Sequence, residues 1–478
     1  MPNDLFKFLP WSPQNNIASE QEFSDGYLLW SHVMQVFEET KRQHLDSLSF
    51  GSHDNQMRPR SLTDSDKTDI ARLLSSCQAV IDNFDTAVLA SALQAPKVVC
   101  PNETKNKLLN WGLCGNVSDV AHLKYLQGRY LLSESKFQSA WDCVAKLHQA
   151  SLLCFKSKNS EIYMTGISFR ALCQSLLYEI IENHRSENLI REAIAIVLSA
   201  NEPHYFAEAF LAPVSYQAIE HLKLCSTDLP FQEALNIIVQ QFVTTQDEEP
   251  EPIKQAVDLL MSSNNSILCS NGQKLHEIVK QFIVDNLMAI NSQQPFRLKD
   301  TVELIETICH SCLECLTFPA VTTRKRLATL PYSFLPAMLT KNDQQCEYDL
   351  IDIENLIRCL SKIDNAVGLL FASKFAKALC TIIKNNAFFW YYELAQSRGI
   401  SIALSVCAFT EIQGNRPQHV EDVVANKILT DVPVEPFSGK KFLYKKNEGI
   451  ISGQAGMSEL PYWAPPIDWS EKLQWHIP

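Results

Sequence analysis

The densest set of reactive side chains in this 478-residue chain is Cys309-His310-Ser311-Cys312-Leu313-Glu314-Cys315. Cysteines at this spacing supply three thiolates of a bacterial ferredoxin-type iron–sulfur site, and thiolates also hold zinc. The fourth ligand is missing. That pattern continues to a cysteine followed by proline, whereas Cys315 leads into Leu316, Thr317, Phe318 and Pro319, with no glycine-rich loop to wrap a cluster. Val302, Ile305, Ile308, Cys309, Cys312 and Leu316 instead continue one helical stripe, along which Cys309 and Cys312 lie a turn apart. The segment reads as buried structural thiols. Cys309, Cys312 and Cys315 are the metal or redox candidates under the alternative reading.

Other reactive patterns fail more simply. None of the 12 histidines follows a glutamate by three residues, so the Glu-x-x-His unit of di-iron bundles is absent, as is the His-Glu-x-x-His of zinc proteases. There is no Gly-x-Ser-x-Gly elbow, and Gly439-Lys440 lacks the earlier glycine of a phosphate-binding loop. Gly449, Gly453 and Gly456 follow no strand–helix alternation and read as a loop. The acidic run Gln246-Asp247-Glu248-Glu249-Pro250-Glu251-Pro252 lacks the alternating ligands and glycine of a calcium loop, and reads as a solvated domain boundary. The sequence calls for no cofactor, and it leans away from an enzyme.

Composition points the same way. Only 14 glycines occur in 478 residues, well below the usual ~7%, and folds rich in hairpins or phosphate loops need glycine for positive φ. Helices are the expected currency. The formal charge of -12 offers no basic field to nucleic acid or anionic lipid. Arg324, Lys325 and Arg326 are too few to reverse this and read as a solvated helix start. No stretch reaches the ~20 apolar residues of a membrane span, and no secretory signal is legible after Met1. Fifteen cysteines, an odd number spread along a long chain, suit reduced thiols better than a disulfide framework. The expected home is the cytoplasm, with export without a recognisable signal as the alternative.

The elements that must position these residues are helical. The pattern predicts an all-α protein, an irregular array or bundle of helical hairpins with a small C-terminal β-hairpin and an extended aromatic tail. The expected organisation is an N-terminal helical region over 1–246 and a C-terminal helical region over 253–412. A short helix plus β-hairpin clasp follows over 413–452, then a Trp/Pro-rich tail over 453–478. Thr63 with Asp66 forms a capping pattern ahead of the stripe Ile70, Leu73, Leu74, Cys77. Residues 117–155 read as a helical hairpin, followed by helices near 162–184, 189–200, 205–224, 231–243, 253–261 and 274–290. Pro331 to Pro336 introduces helices at 349–362 and 366–412, the latter interrupted near Arg398-Gly399. The run Phe388-Phe389-Trp390-Tyr391-Tyr392 covers every side of its helix and should be surrounded by protein.

The closing quarter is the most specific. Gly414 can take the left-handed position that stops the long helix, and Gly439 can do the same in the turn after Pro433 and Pro436. Phe442 and Tyr444 then fall on one face of a strand, Asn447-Glu448-Gly449 turns, and Ile450-Ile451 pairs back. These residues, Gly414-x-x-Pro417, a short helix, then Pro433-x-x-Pro436-Phe437-Ser438-Gly439-Lys440 and Tyr444, carry a resemblance. Residues 401–445 resemble the closing region of a large group of bacterial helical proteins of unassigned activity, often exported or membrane-anchored. That group ends in Pro-x-Asp-Pro-Phe-Ser/Thr-Gly-Lys-Pro-Leu-x-Tyr. Glu435 here replaces the Asp, Lys441 replaces the Pro, and the tail is unrelated. The resemblance implies a bacterial source and transfers no catalytic residue.

The tail carries Trp463, Trp469 and Trp475 among Pro461, Pro465 and Pro466. Such rigid aromatic segments bury large areas at little entropic cost, which suits an arm folded across the helical body or a strap for a partner. Trp463, Trp469, Trp475, Phe437 and Tyr444 are therefore the candidate interaction residues. The function expected is a non-enzymatic protein–protein interaction or scaffold protein. A metal or redox protein with an unfamiliar site, and a secreted effector acting on a host target, are the alternatives.

Overall fold

A computed structural model of the chain describes residues 25–44, 61–90, 114–157, 159–199, 203–211, 296–333, 362, 364–454 and 473–478. The described residues are mostly helical, with a small antiparallel sheet near the C-terminus. The acidic run at 246–252, Trp463, Trp469, the helices expected at 231–243, 253–261 and 274–290, and all but the last residue of the helix expected at 349–362 lie outside the described residues.

The described helices are α1 (Asp25–His44), α2 (Asp64–Ser76), α3 (Gln78–Ala87), α4 (Cys114–Ser133), α5 (Phe137–Phe155), α6 (Ser160–Asn183), α7 (Glu187–Leu198) and α8 (Pro203–Phe210). After them come α9 (Leu298–Leu316), α10 (Ala320–Ser333), α11 (Ala366–Gln413) and α12 (Asp422–Ala425). The strands β1 (Leu443–Lys445), β2 (Ile450–Ser452) and β3 (Gln474–His476) form one sheet in that order. Among the described residues no helix is long and apolar enough to cross a membrane.

The chain divides into two compact units. The first contains residues 1–213, 316–322 and 385–478, the second 214–315 and 323–384. Residues of α11 up to Lys384 thus belong to the second unit and those from Asn385 onward to the first.

In the first unit α4, α5 and α6 pack on one another. Tyr125 donates to Glu179 at 2.8 Å and Arg129 Nε donates to its other oxygen at 2.9 Å, tying α4 to α6. Trp30 of α1 meets Phe84 of α3 edge-on at 5.5 Å and stacks with Phe169 of α6 at 5.7 Å. The α2 start is the capping box that Thr63 and Asp66 announce, with the Asp66 amide on Thr63 Oγ1 at 3.2 Å and the Thr63 amide on Asp66 Oδ2 at 2.9 Å. From Ile400 to Phe409 helix α11 has only Ser401 and Ser405 as polar residues, both bonded to its own carbonyls, and all ten residues are buried, as a helix without a charged face requires.

In the second unit Asn365, in the left-handed region at φ 57, joins the starts of α9 and α11. Its Oδ1 accepts from the Arg297 amide at 2.9 Å and its Nδ2 donates to Thr301 Oγ1 at 3.1 Å. Asparagine is one of the few residues besides glycine that visit this backbone region, and here its amide is held by the start of α9.

Three sequence expectations change. Helix α11 runs through Arg398-Gly399 without interruption. The glycine is there for space: a Cβ at Gly399 would lie 2.3 Å from the Trp475 ring. Pro331 lies inside the last turn of α10 rather than ahead of a helix. In the aromatic run, Phe388, Trp390 and Tyr391 are buried and Tyr392 is half-buried, but Phe389 is 42% exposed. One ring of the five faces outward.

Candidate functional site

The three thiols singled out by their spacing sit on α9 and are all buried. Cys380 of α11 is buried in the same unit. The Cys312 and Cys380 thiols interact. That interaction and burial hold the Cys312 thiol well above its ordinary range. Cys380 is held below its own by the same interaction, against burial and with help from Lys384. Burial pushes Cys315 up to about 11. Its backbone carbonyl accepts from Thr323 Oγ1 at 2.5 Å. Among the described residues no three histidine, cysteine or carboxylate groups are placed to ligate one ion.

A second convergence lies in the first unit and has no motif to reveal it. Arg170 of α6 is fully buried, as is Glu393 of α11 at 3% exposure, with Nε and Oε1 3.5 Å apart. That is a charge contact rather than a short hydrogen bond. Arg170 Nη2 donates to the carbonyls of Ile196 and Val197, at 2.7 and 2.5 Å. These are among the last carbonyls of α7, which lack helical partners and attract a cation. Arg170 Nη1 lies 2.8 Å from His148 Nδ1. A guanidinium has no acceptor, so Nδ1 must accept and the imidazole carries its hydrogen on Nε2, 3.3 Å from Ser199 Oγ. Burial, then the Arg170 charge, lower His148 to about 4. Glu393 Oε1 accepts from Ser397 Oγ at 2.7 Å, and Ser397 Oγ in turn accepts from Gln174 Nε2 at 2.8 Å. Burial pushes the Glu393 carboxyl up, opposed by Arg170 and by the Ser397 hydrogen bond. Chemically this is an acid–base set whose Arg170, Glu393 and Ser397 are buried, while its His148 end is half-buried and reaches the exposed Ser199.

The C-terminal segment forms the third convergence, entirely within the first unit. The sealed Glu435 carboxylate accepts from the Phe437 amide at 2.8 Å, the Ser438 amide at 2.8 Å and Ser438 Oγ at 2.6 Å. Gly439 closes the turn at φ 73, donating to the Glu435 carbonyl at 2.8 Å. A Cβ there would meet Pro319 at 2.5 Å. The carbonyls of Pro436 and Phe437 accept from the amides of Ala320 and Val321, which open α10 and lack partners within the helix. Phe437 is fully buried between Phe388 and Tyr391, at ring distances of 5.8 and 6.1 Å. Tyr444 is half-buried and donates to the Pro417 carbonyl at 3.1 Å.

Trp475 is fully buried on β3, which pairs antiparallel with β2 and sets Trp475 opposite Ile451. Its Nε1 donates to Gln396 Oε1 at 2.9 Å, its ring covers Gly399, and Phe442 meets it edge-on at 5.5 Å. The last residues of the tail are therefore held by the chain itself. Of the candidate interaction residues, Phe437 and Trp475 are spent inside the first unit and Tyr444 is partly spent there.

A notch of about 420 Å³ opens to solvent in the first unit where α5 begins, α6 ends and α7 begins. Phe137 and His184 stack across it at 4.6 Å, with Trp141 half-buried beside them. Comparison with known proteins finds no match, neither to a protein family, nor to a curated protein, nor to a solved structure.

Proposed function

We propose that the chain is a non-enzymatic protein–protein interaction or scaffold protein, a cofactor-free acidic helical body that engages a protein partner and does not bind nucleic acid. The observation carrying this reading is the fate of its sealed carboxylates. Glu393 and Glu435, the groups best placed for acid–base work, are buried and directed at the chain's own donors. A catalytic acid or base must reach a substrate proton, directly or through one water. The charge of -12 opposes association with polyanions. The reading also takes the source to be bacterial, as the resemblance of residues 401–445 implies, and the compartment to be reducing, as the thiols suggest.

The test joins partner capture with turnover. A protein captured by the full chain in cells should bind the purified chain directly, with the same affinity for wild type and for Glu393→Gln confirmed folded by circular dichroism. Turnover of a substrate class by the purified chain, abolished by Glu393→Gln or by Cys312→Ala, would overturn the reading.

A further inference from the structure

Three aromatic rings and one carboxylate share the notch of the first unit. Phe137 and His184 stack at 4.6 Å with their planes 23° apart, Trp141 follows Phe137 by one turn of α5, and Glu192 comes from the second turn of α7. No lysine or arginine is among the described residues that line it. Glu192 is exposed and has no hydrogen-bond or ion-pair partner among the described residues. Glu187 of the same helix is matched, by Arg191 at 2.9 Å, and Arg185 is drawn to Glu411 at 4.0 Å.

The start of α7 is closed to an anion. Ser186 Oγ accepts from the Leu189 amide at 3.3 Å, and Glu187 complements the positive end of the helix. What stays unmatched is the negative charge of Glu192 beside the aromatic rings, and a cation satisfies both at once. A guanidinium does so better than an ammonium, because it is planar, weakly hydrated, stacks on rings and offers five N–H donors. Gln138 gives its amide nitrogen to Asp142 at 3.3 Å, which leaves its amide oxygen as a further acceptor. The notch volume of about 420 Å³ lies near the lower end of the range for ligand sites, about 300–1,000 Å³, and suits a side chain rather than a docked helix. The charge of -12 draws a basic segment toward the chain.

We propose, resting on the scaffold reading, that this notch receives an arginine side chain from an exposed segment of a protein partner, its guanidinium paired with Glu192 and packed against Trp141, Phe137 and His184. Tryptophan and arginine are the residue types that most often dominate the energy of an interface.

The test uses the full chain carrying 5-fluorotryptophan, with the Trp141 resonance identified by its loss in Trp141→Phe and followed by fluorine NMR. The probe is the blocked tripeptide acetyl-Ala-Arg-Ala-amide. A saturable shift of Trp141 is expected in the millimolar range, with a smaller one for the lysine peptide and none for the glutamine or glutamate peptides. The response should weaken as salt is raised. Glu192→Gln changes an exposed side chain without altering its shape, and should weaken the arginine peptide about fivefold. No response to the arginine peptide, an equal response to the glutamine peptide, or an affinity unchanged by Glu192→Gln would overturn the proposal. So would a Trp141 shift on diluting the chain alone, which would give the notch to a second copy. A captured partner that binds wild type and Glu192→Gln equally would sink the arginine site and leave the scaffold reading standing, whereas turnover by the purified chain strikes that reading itself.

Discussion

Glu393 and Glu435 are both sealed carboxylates in the first unit, and the chain satisfies them in opposite ways. Glu435 takes three hydrogen bonds of 2.6 to 2.8 Å from residues two and three positions further on. Glu393 takes one hydrogen bond from Ser397, one turn away, while its counter-charge comes from Arg170 on another helix at 3.5 Å. Its second oxygen has no hydrogen-bond partner among the described residues. A locally capped carboxylate forms whenever its own turn forms. One balanced from afar depends on three helices docking in register, so the difference separates what a short motif secures from what only packing secures.

The comparison is broken most severely at Arg170. Arg170→Met should destabilise the first unit by about 3–5 kcal/mol, because it leaves Glu393 as an uncompensated buried charge and strips the α7 carbonyls of their donor. Denaturant unfolding followed by far-ultraviolet circular dichroism reads this, and a loss under about 1 kcal/mol would mean that the network contributes little. Trp475→Ala comes next. Emptying a ring from its contact with Gly399 should cost about 3 kcal/mol. The loss should be confined to the clasp, with hydrogen exchange rising in β1 to β3 while α4 to α6 stay protected.

Glu435→Gln should cost about 1–2 kcal/mol, since one amide oxygen remains to accept but the charge-assisted bond to Ser438 Oγ weakens. It should also leave the Arg170 network untouched, so that the effects of Glu435→Gln and Arg170→Met add within experimental error. The smallest effect is a pH slope. His148 is held neutral down to about 4 in the folded chain, against an ordinary value of 6.5. Between these values the unfolded chain takes up a proton that the folded chain refuses, so stability should fall as pH drops from about 6.5 to about 4 and stay flat above. Glu393, shifted upward, contributes with the opposite sign, so the quantity to measure is wild type minus His148→Gln. A difference independent of pH would remove His148 from the network.

The same division governs what could be read beforehand. The capping box at Thr63, the left-handed stops at Gly414 and Gly439, and the hairpin turning at Gly449 follow from residue types a few positions apart. Each is visible because its hydrogen bonds close over a short span. The clasp's charge logic was half legible: the Pro-Phe-Ser-Gly turn was recognised, but Glu435 as its internal cap was not, although its short spacing to Ser438 was a usable signal. The bond between Gln174 and Ser397 joins residues 223 positions apart and leaves no trace in either neighbourhood. Gly399 shows the hazard of local reasoning, since a glycine that predicts a break instead clears space for an indole from the far end of the chain.

By itself the sequence determined that the chain is helical, that the described thiols are buried, and where its C-terminal turns fall. Periodicity, glycine scarcity and short-range capping act over single turns and need no partner. Tertiary structure alone decided that Arg170 meets Glu393 and that Trp475 returns to cover α11. Those contacts depend on which faces of distant helices dock and in what register, and no local pattern of side chains specifies that.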